Sequence, residues 1–422
     1  MPFHIVSMWL RGLLSITFLL LGPYLLYRWY EDSQVIQVEE TSRVVSATQA
    51  ASAANMGVAT ERHATRKFAP QWGFNRPTAM FVVGLGMFLW AIPKPGLSLK
   101  RLLRRRGTDE PKSTRTGEVL RRKRPDGTEL RVECYGPRDG PTIVMTHGWG
   151  LDSGQWYYAK KELSKYRLIV WDLPGLGLSS EPTNHDYSLD NLAADLDAVV
   201  SAIGQPVLLL GHSIGGMILL TYCKRYPEAM GRSVAGLVLV ETTYTNPLRT
   251  TKMAALATAL QKPLVEPLLH LTIWLAPLVR LMNWLSYLNG SAHRSTERTS
   301  FSGKETRGQL DFVAAYSPRS SPAVVARGML GMLRYDATQT LGTVAVPVLV
   351  IAGDRDPVCK PEASERMRQD IPAAELMMLS PAKHQGLLEH HEAFATAVGG
   401  FADRCWSARR DESQRGAQLS RS

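Results

Sequence analysis

The chain has 422 residues, 45% hydrophobic and 21% charged, which supplies a full core and excludes a wholly disordered chain. Its net charge of +11 is concentrated: residues 94–124 carry twelve Lys/Arg against Asp109, Glu110 and Glu118, while residues 125–422 are about neutral. Charge confined to one short segment marks a tail or a membrane-surface contact and argues against a nucleic-acid groove.

In chain order, residues 5–27, "IVSMWLRGLLSITFLLLGPYLLY", are long enough to cross a bilayer, with Arg11 their only charge. A removable signal peptide is the competing reading, weakened by the length of the run and by the absence of a small-residue cleavage site after it. A second run, "PTAMFVVGLGMFLWAIP" (77–93), sits at the short end of spanning length, the alternative being a buried or interfacial helix. The cations that follow it favour a two-span hairpin with both termini, and hence the main domain, in the cytoplasm. The expected order is a transmembrane anchor at 1–30, a low-order loop at 31–76, a second transmembrane helix at 77–93 and a basic juxtamembrane linker at 94–116.

From residue 117 the pattern changes. "EVLRRKRPDGTELRVECYG" carries a Pro-Asp-Gly turn between two extended runs, which predicts a hairpin. The runs "TIVMTHG" (142–148), "YRLIVWDLPG" (166–175), "PVLLLGHS" (206–213), "VAGLVLVET" (234–242), "VPVLVIAGDRD" (346–356) and "AELMMLS" (374–380) read as buried strands. Between them lie helical patterns such as 189–203, with Leu192, Leu196, Val199 and Ile203 on one face. Apolar strands alternating with helices predict a mostly parallel sheet covered on both faces and led by an antiparallel hairpin. The two sheet-forming stretches are 117–242 and 345–404, and the polar end, 405–422, is expected to be a disordered tail. Cys134, Cys223, Cys359 and Cys405 are widely separated, lack metal-type spacing and read as free thiols.

"GHSIGG" (211–216) follows an apolar strand and precedes a helix. A chain that turns from strand to helix within two or three residues needs strained backbone at the centre, and Gly211 and Gly215 keep neighbouring backbone from colliding there. Such a turn lifts Ser213 above the sheet edge and aims the backbone N–H of Ile214 at a developing negative charge. The bland alternative is a Gly-rich turn whose serine caps the helix.

Taken in order, "HGWG" (147–150), "DLPGLGLSS" (172–180), "GHSIGG", "GDRDPV" (353–358) and "KHQGLLEHHEAF" (383–394) resemble the α/β-hydrolase fold superfamily over about residues 117–403. That resemblance implies the order serine, acid, histidine, met here by Ser213, Asp356 and His384. Glu241, at the end of the preceding strand, is the rival acid, because some members carry it there. The second oxyanion donor is expected from the HGWG loop, at the N–H of Trp149, beside that of Ile214. His147 and His212 are expected to tie loops together, and Asp172 and Asp354 to make turn contacts. Lys383 and His391 depart from the family, which usually has Gly and Pro there. His63, His270, His293 and His390 lack partners at metal-ligand spacing, and no zinc, nucleotide or flavin motif appears, so no cofactor is expected.

The family inserts a helical cap between the two halves of its core, here 243–344. Its stretch 263–290 is strongly apolar, but Pro267, Pro277, Glu266, His270, Arg280 and Asn283 argue against a third span. Either it packs on the core or it touches the bilayer and admits an apolar substrate. The function expected from the resemblance is a membrane-anchored, lipase-like serine esterase acting on a lipid or other apolar acyl ester. The alternatives are carbon–carbon bond hydrolysis, thioester hydrolysis, acyl transfer or cofactor-free peroxidase chemistry on the same triad, and a non-catalytic binding protein. Epoxide hydrolase and dehalogenase chemistry are disfavoured, since those members use Asp where Ser213 stands.

Overall fold

The computed structural model describes residues 2–44, 58–70, 72–73, 75–91, 103–250 and 253–419. Two compact units emerge, one of residues 10–94 and one of residues 95–422 together with the first nine.

The smaller unit holds helix α1 (Pro2–Asp32) from Leu10 onward, strands β1 (Gln34–Val44) and β2 (Val58–Phe68), and helix α2 (Arg76–Ala91). Helices α1 and α2 approach closely at two glycines: a Cβ on Gly84 would lie 2.9 Å from Cβ of Leu25, and one on Gly22 would lie 3.0 Å from the Gly84 carbonyl. Trp29 packs on Phe81 and Trp72 with ring centroids 4.6 and 6.0 Å apart. The loop expected at 31–76 is corrected where residues are described: β1 and β2 form an antiparallel ribbon from Gln34↔Phe68 to Val44↔Val58, and residues 45–57, 71 and 74 lie outside the described residues. Its register sets Glu40 opposite Arg62 and Glu39 opposite His63, and scattered β-branched residues, Val35, Ile36, Val38, Thr41 and Val44 in β1 and Val58, Thr60 and Thr65 in β2, suit a pleated strand despite the polar remainder. Among the described residues no single helix is long and apolar enough to cross a membrane. The expected first span falls partly on side chains of residues 5–13 outside that description, and residues 92–93 of the second run also lie outside it.

The larger unit is built on an eight-stranded sheet in the order β10-β9-β8-β7-β5-β6-β4-β3. Its strands are β3 (Glu118–Lys123), β4 (Glu129–Tyr135), β5 (Thr142–Thr146), β6 (Arg167–Trp171), β7 (Val207–His212), β8 (Val234–Val240), β9 (Val348–Gly353) and β10 (Ala374–Leu379). β3 and β4 form the antiparallel hairpin, β4 pairs antiparallel with β6, and all other pairings are parallel. Every residue of β5, β7, β8 and β9 is buried, as continuous Val/Ile/Leu runs require when helices cover both faces. One apolar cluster lies on each side of the sheet: α3 (Leu189–Ser201) and α4 (Ile214–Arg225) pack over Leu209, Leu237 and Val350, while Trp156, Phe394 and Phe401 pack over Leu208, Val238 and Ile351.

Between β8 and β9 the chain is helical, including α5 (Glu266–Trp274), α6 (Ala276–Leu288), α7 (Ser291–Ser300), α8 (Arg307–Ala314) and α9 (Pro322–Met332). Residues 261–274 and 276–288 meet at 94°, a sharp elbow at Leu275 just before Pro277. Val265 and Leu269 pack on Ala326, whereas Trp274, Leu281, Trp284 and Leu288 are exposed, Trp274 at 78%.

Two further expectations change. The basic linker is not a free polycation: Arg104 pairs with Glu305 and, at 2.5 Å, Glu297, while Arg115 reaches Asp172, Asp152 and Glu133 at 2.7, 3.1 and 3.2 Å. Arg105, Arg106 and Lys112 stay exposed, and residues 94–102 lie outside the described residues. The tail expected from residue 405 is instead the end of α10 (His391–Leu419). Cys405 is buried in the core, and Arg409 donates to the Gly231 and Arg232 carbonyls at 2.5 and 2.6 Å. Polarity there marks the solvated face of a helix.

Candidate active site

The parallel strands all point their carboxyl ends to one edge, where the chemistry-bearing residues gather, as open α/β sheets dictate. β5 runs into the HGWG loop, β6 into Asp172, β7 into Ser213, β8 into Glu241, β9 into Asp354 and Asp356, and β10 into residues 383–386.

Ser213 sits between β7 and α4 with φ 56° and ψ −119°, left-handed backbone that a non-glycine residue adopts only when its surroundings impose it. The Ser213 N–H donates to the Val240 carbonyl at 2.9 Å, and the Thr242 hydroxyl donates to the Ser213 carbonyl at 2.6 Å, so the strained residue is held on both sides. The glycines are required by contact: a Cβ on Gly211 would fall 2.4 Å from the Gly215 backbone, and one on Gly215 would fall 2.3 Å from the Thr146 carbonyl. The N–H of Ile214 opens α4, where a helix leaves its first donors without intrahelical partners. Trp149 lies in the loop alongside, its indole N–H donating to the Val325 carbonyl of α9 at 2.9 Å.

His384 Nε2 lies 3.1 Å from Oγ of Ser213, and its Nδ1 lies 2.7 Å from Oδ2 of Asp356. Oδ1 of Asp356 accepts the backbone N–H groups of Val358 and Cys359 at 2.7 and 3.0 Å. The carboxylate is therefore an acceptor at both oxygens, so His384 carries its proton on Nδ1 and offers the Nε2 lone pair to the serine hydroxyl. Three residues at 213, 356 and 384 thus converge in one line. Asp354, two residues away, makes turn contacts, accepting from the Ala382 N–H at 2.9 Å and the Ser380 hydroxyl at 2.7 Å.

The rival acid Glu241 is excluded from that line but stands directly behind it. Its Oε1 accepts the Gly386 N–H at 2.9 Å, and its Oε2 lies 3.3 Å from Nε2 of His212. Burial and the nearby Asp356 carboxylate push the Glu241 carboxyl well above the usual carboxylate range, and burial pushes the His212 imidazole well below its own usual range. The tautomer of His212 follows from a chain of contacts. The Gly148 N–H donates to Gln155 at 2.9 Å, which identifies that atom as the amide oxygen. The amide nitrogen of Gln155 then donates to Nδ1 of His212 at 2.9 Å, leaving Nε2–H to donate to the His384 carbonyl at 2.9 Å. His147 similarly ties two loops, accepting the Leu173 N–H on Nε2 at 2.9 Å while its Nδ1 contacts the Gly148 carbonyl at 2.8 Å. Asp172 is a turn acid, taking the Ser153 and Leu178 N–H groups at 2.8 Å each.

Gln155, Gln385 and Lys383 lie beside the site, and motif reading does not single them out for a role. Lys383, in place of the family's usual glycine, donates to the Arg298 and Glu297 carbonyls at 2.9 and 3.4 Å, partnering carbonyls at the open end of α7. The Gln385 N–H adds a 2.9 Å bond to the Ser300 carbonyl, so the histidine loop is fastened to the helical insertion. His391, where proline is usual, stacks on Tyr158 with centroids 3.9 Å apart and meets Glu162 at 2.5 Å.

Two sets, His212–Glu241–His384 and Asp356–Cys359–His384, bring possible metal-ligand atoms within 4.8 Å of one another. Both require His384, whose two ring nitrogens are already engaged by Ser213 and Asp356, so the donors present fit proton transfer better than a metal. A separate cavity of about 360 Å³, lined among others by Asp190, Thr221, Lys224, Arg327 and Arg334, includes none of these catalytic candidates.

Residues 141–391 match a family described as alpha/beta hydrolase fold. The chain is 23% identical over 276 residues to a pimeloyl-[acyl-carrier protein] methyl ester esterase of Vibrio campbellii, covering 65% of this chain and 99% of that protein. Lipase 3 of a Moraxella species is 25% identical over 283 residues, covering 63% of this chain and 78% of that lipase. Among solved structures, an esterase from Exiguobacterium antarcticum superposes with a TM-score of 0.55 at 22% identity, over 68% of this chain and 100% of that one. At that identity the superposition speaks for the fold.

Proposed function

Because the chain belongs to the α/β-hydrolase fold family, and because its serine, histidine and aspartate stand in one hydrogen-bonded line, we propose that it cleaves a carboxylic ester through an acyl-enzyme on Ser213. That line is the observation that carries the reading. A serine hydroxyl is a weak nucleophile until a base accepts its proton, and His384 Nε2 is within 3.1 Å to do so. As Oγ attacks the ester carbon, the proton passes to Nε2 and the imidazolium is steadied by Asp356. The carbonyl oxygen becomes an oxyanion facing the N–H groups of Ile214 and Trp149, each such donor worth about 2.7–4 kcal/mol in comparable sites. His384 returns the proton to the departing alcohol, leaving the acyl group on Oγ. Water then attacks with His384 again as base, and the carboxylic acid and free Ser213 result. Ester cleavage also agrees with what the esterase and lipase relatives are called.

The substrate half of the proposal is an apolar, lipid-like acyl chain. Its support is the exposed apolar face of α5 and α6, with Trp274, Leu281, Trp284 and Leu288, on a segment 267–288 that contains no acidic residue and carries Arg280. A face of Trp and Leu with the Arg280 cation on the same helix suits the headgroup–acyl boundary. The apolar runs 5–27 and 77–93 support membrane anchoring, and the cations after the second run support a cytoplasmic catalytic unit. The test is hydrolysis of a panel of esters by the full chain and its Ser213→Ala variant. The reading expects a pre-steady-state burst of alcohol equal to the enzyme concentration, absent in the variant, and a preference for long acyl chains presented in vesicles. Ester cleavage that survives Ser213→Ala would refute the acyl-enzyme, and a preference for short dispersed esters would refute the lipid substrate.

A further inference from the structure

Three non-glycine residues among those described adopt positive φ, and two of them, Ser213 (φ 56°) and Glu241 (φ 46°), flank the same site. Strained backbone persists where the surroundings over-determine it, and it concentrates at working sites. For Ser213 the reason is the nucleophile turn. Glu241 has no part in the proton line, yet its side chain is fully buried, its N–H is tied to the Ile351 carbonyl at 2.7 Å, and its Oε2 makes no hydrogen bond. A buried acid with an orphaned oxygen is costly, so its retention behind the triad asks for a function.

We infer that Glu241 is a positioning residue for the catalytic histidine: with His212 it holds the peptide 384–386 in the seat from which His384 reaches both Ser213 and Asp356. Two bonds carry this from behind the ring. Glu241 Oε1 accepts the Gly386 N–H at 2.9 Å, and His212 Nε2–H donates to the His384 carbonyl at 2.9 Å. The two clamps lie side by side, Oε2 of Glu241 3.3 Å from Nε2 of His212, and Gln155 fixes the far side of the His212 ring. The space is shaped for this acid, since a Cβ on Gly386 would fall 2.4 Å from Oε1. The groups facing Glu241 are Gly386, His212, His384, Asp356, Cys359 and Glu389. None is a lysine or arginine, so no cation partners the acid, and the acceptor it offers the Gly386 N–H is one that a glutamine amide oxygen keeps. Without the clamp the loop relaxes, and a displacement of about 1 Å at a reacting group can cost about a hundredfold in rate.

The inference rests on the proposed roles of Ser213, Asp356 and His384, and its test separates the two. The full chain and its Glu241→Leu and Glu241→Gln variants are compared on p-nitrophenyl butyrate, with rates normalised to the folded fraction by circular dichroism. Glu241→Leu is expected to lower kcat by about ten- to a hundredfold with KM within about threefold, and Glu241→Gln to return kcat to within about fivefold of the parent. The acid limb of the Glu241→Gln pH profile is expected to stay within about half a unit, because the amide oxygen still accepts the Gly386 N–H and keeps His384 in its seat. A loss smaller than tenfold in Glu241→Leu, a Glu241→Gln kcat more than fivefold below the parent, or a larger displacement of its acid limb overturns the inference. If Glu241→Leu does not fold, His212→Phe, which keeps an aromatic ring but removes both the donor to the His384 carbonyl and the acceptor for Gln155, is held to the same tenfold criterion. A parent chain inactive on every ester sinks the proposed function instead.

Discussion

Asp356→Asn changes one atom of the proton line and keeps its shape. The Val358 and Cys359 N–H groups grip Oδ1 at 2.7 and 3.0 Å, and a donor pair accepts only an oxygen there. The asparagine must therefore turn its NH2 towards Nδ1 of His384 across a 2.7 Å gap now occupied by N–H···O. Two donors cannot share that gap, so the imidazole moves its proton to Nε2, the nitrogen that has to receive the proton of Ser213. The base is then blocked in its ground state. An analogous tautomer error in a serine protease costs about 10⁴-fold, and the expected loss here is about 10³–10⁴ in kcat, or about 4–5.5 kcal/mol. Steady-state hydrolysis of a short aryl ester at pH 7.5 measures it, with KM and the melting temperature as controls for binding and folding. Both controls are expected to move little, since the substitution is isosteric. A kcat within tenfold of the parent, in a folded protein, would show that Asp356 does not set the tautomer of His384.

Other outcomes follow from contacts outside the line. Burial pushes the Asp195 carboxyl from 3.8 up to about 7, even with the Arg124 guanidinium 2.7 Å away. Folding therefore tightens the grip on that proton, and the parent should lose stability as pH rises from about 4 to 7, a decline that Asp195→Asn removes in urea unfolding; identical pH slopes would contradict this. Arg115→Met leaves Asp172, Glu133 and Asp152 without their shared cation, with an expected loss of about 3–5 kcal/mol, partly regained on acidification as the carboxylates protonate. A loss below 1 kcal/mol would mean that the segment 103–116 is only loosely held. Lys383→Gly frees two carbonyls near the end of α7, so amide exchange in its last turn should quicken about fivefold, the equivalent of about 1 kcal/mol, and unchanged exchange would refute the link between insertion and histidine loop.

The parts legible in the sequence are those with a local signature. Buried parallel strands show as unbroken Val/Ile/Leu runs, and the turn around Ser213 shows because steric contact demands glycine at 211 and 215. The choice between Asp356 and Glu241 was not settled by pattern, because both acids follow strands ending at one edge; Asp356 contacts His384, and Glu241 lies behind it. The positions of Gln155, Gln385 and Lys383 depend on contacts across up to 230 residues, and no local spacing announces them. The paired strands 34–44 and 58–68 and the helix that runs to Leu419 are hidden for another reason. Polar Thr-, Glu- and Arg-rich strands and a polar helix face resemble loop composition when periodicity is weak, and pairing or docking decides their state.

The central claim is tested most directly by reacting the full chain with a fluorophosphonate and locating the adduct by peptide mass spectrometry. The account predicts one equivalent, carried on Ser213, lost in Ser213→Ala and strongly slowed in a His384→Ala variant that remains folded. Folded protein that stays unlabelled, or is labelled elsewhere with Ser213 intact, would contradict it.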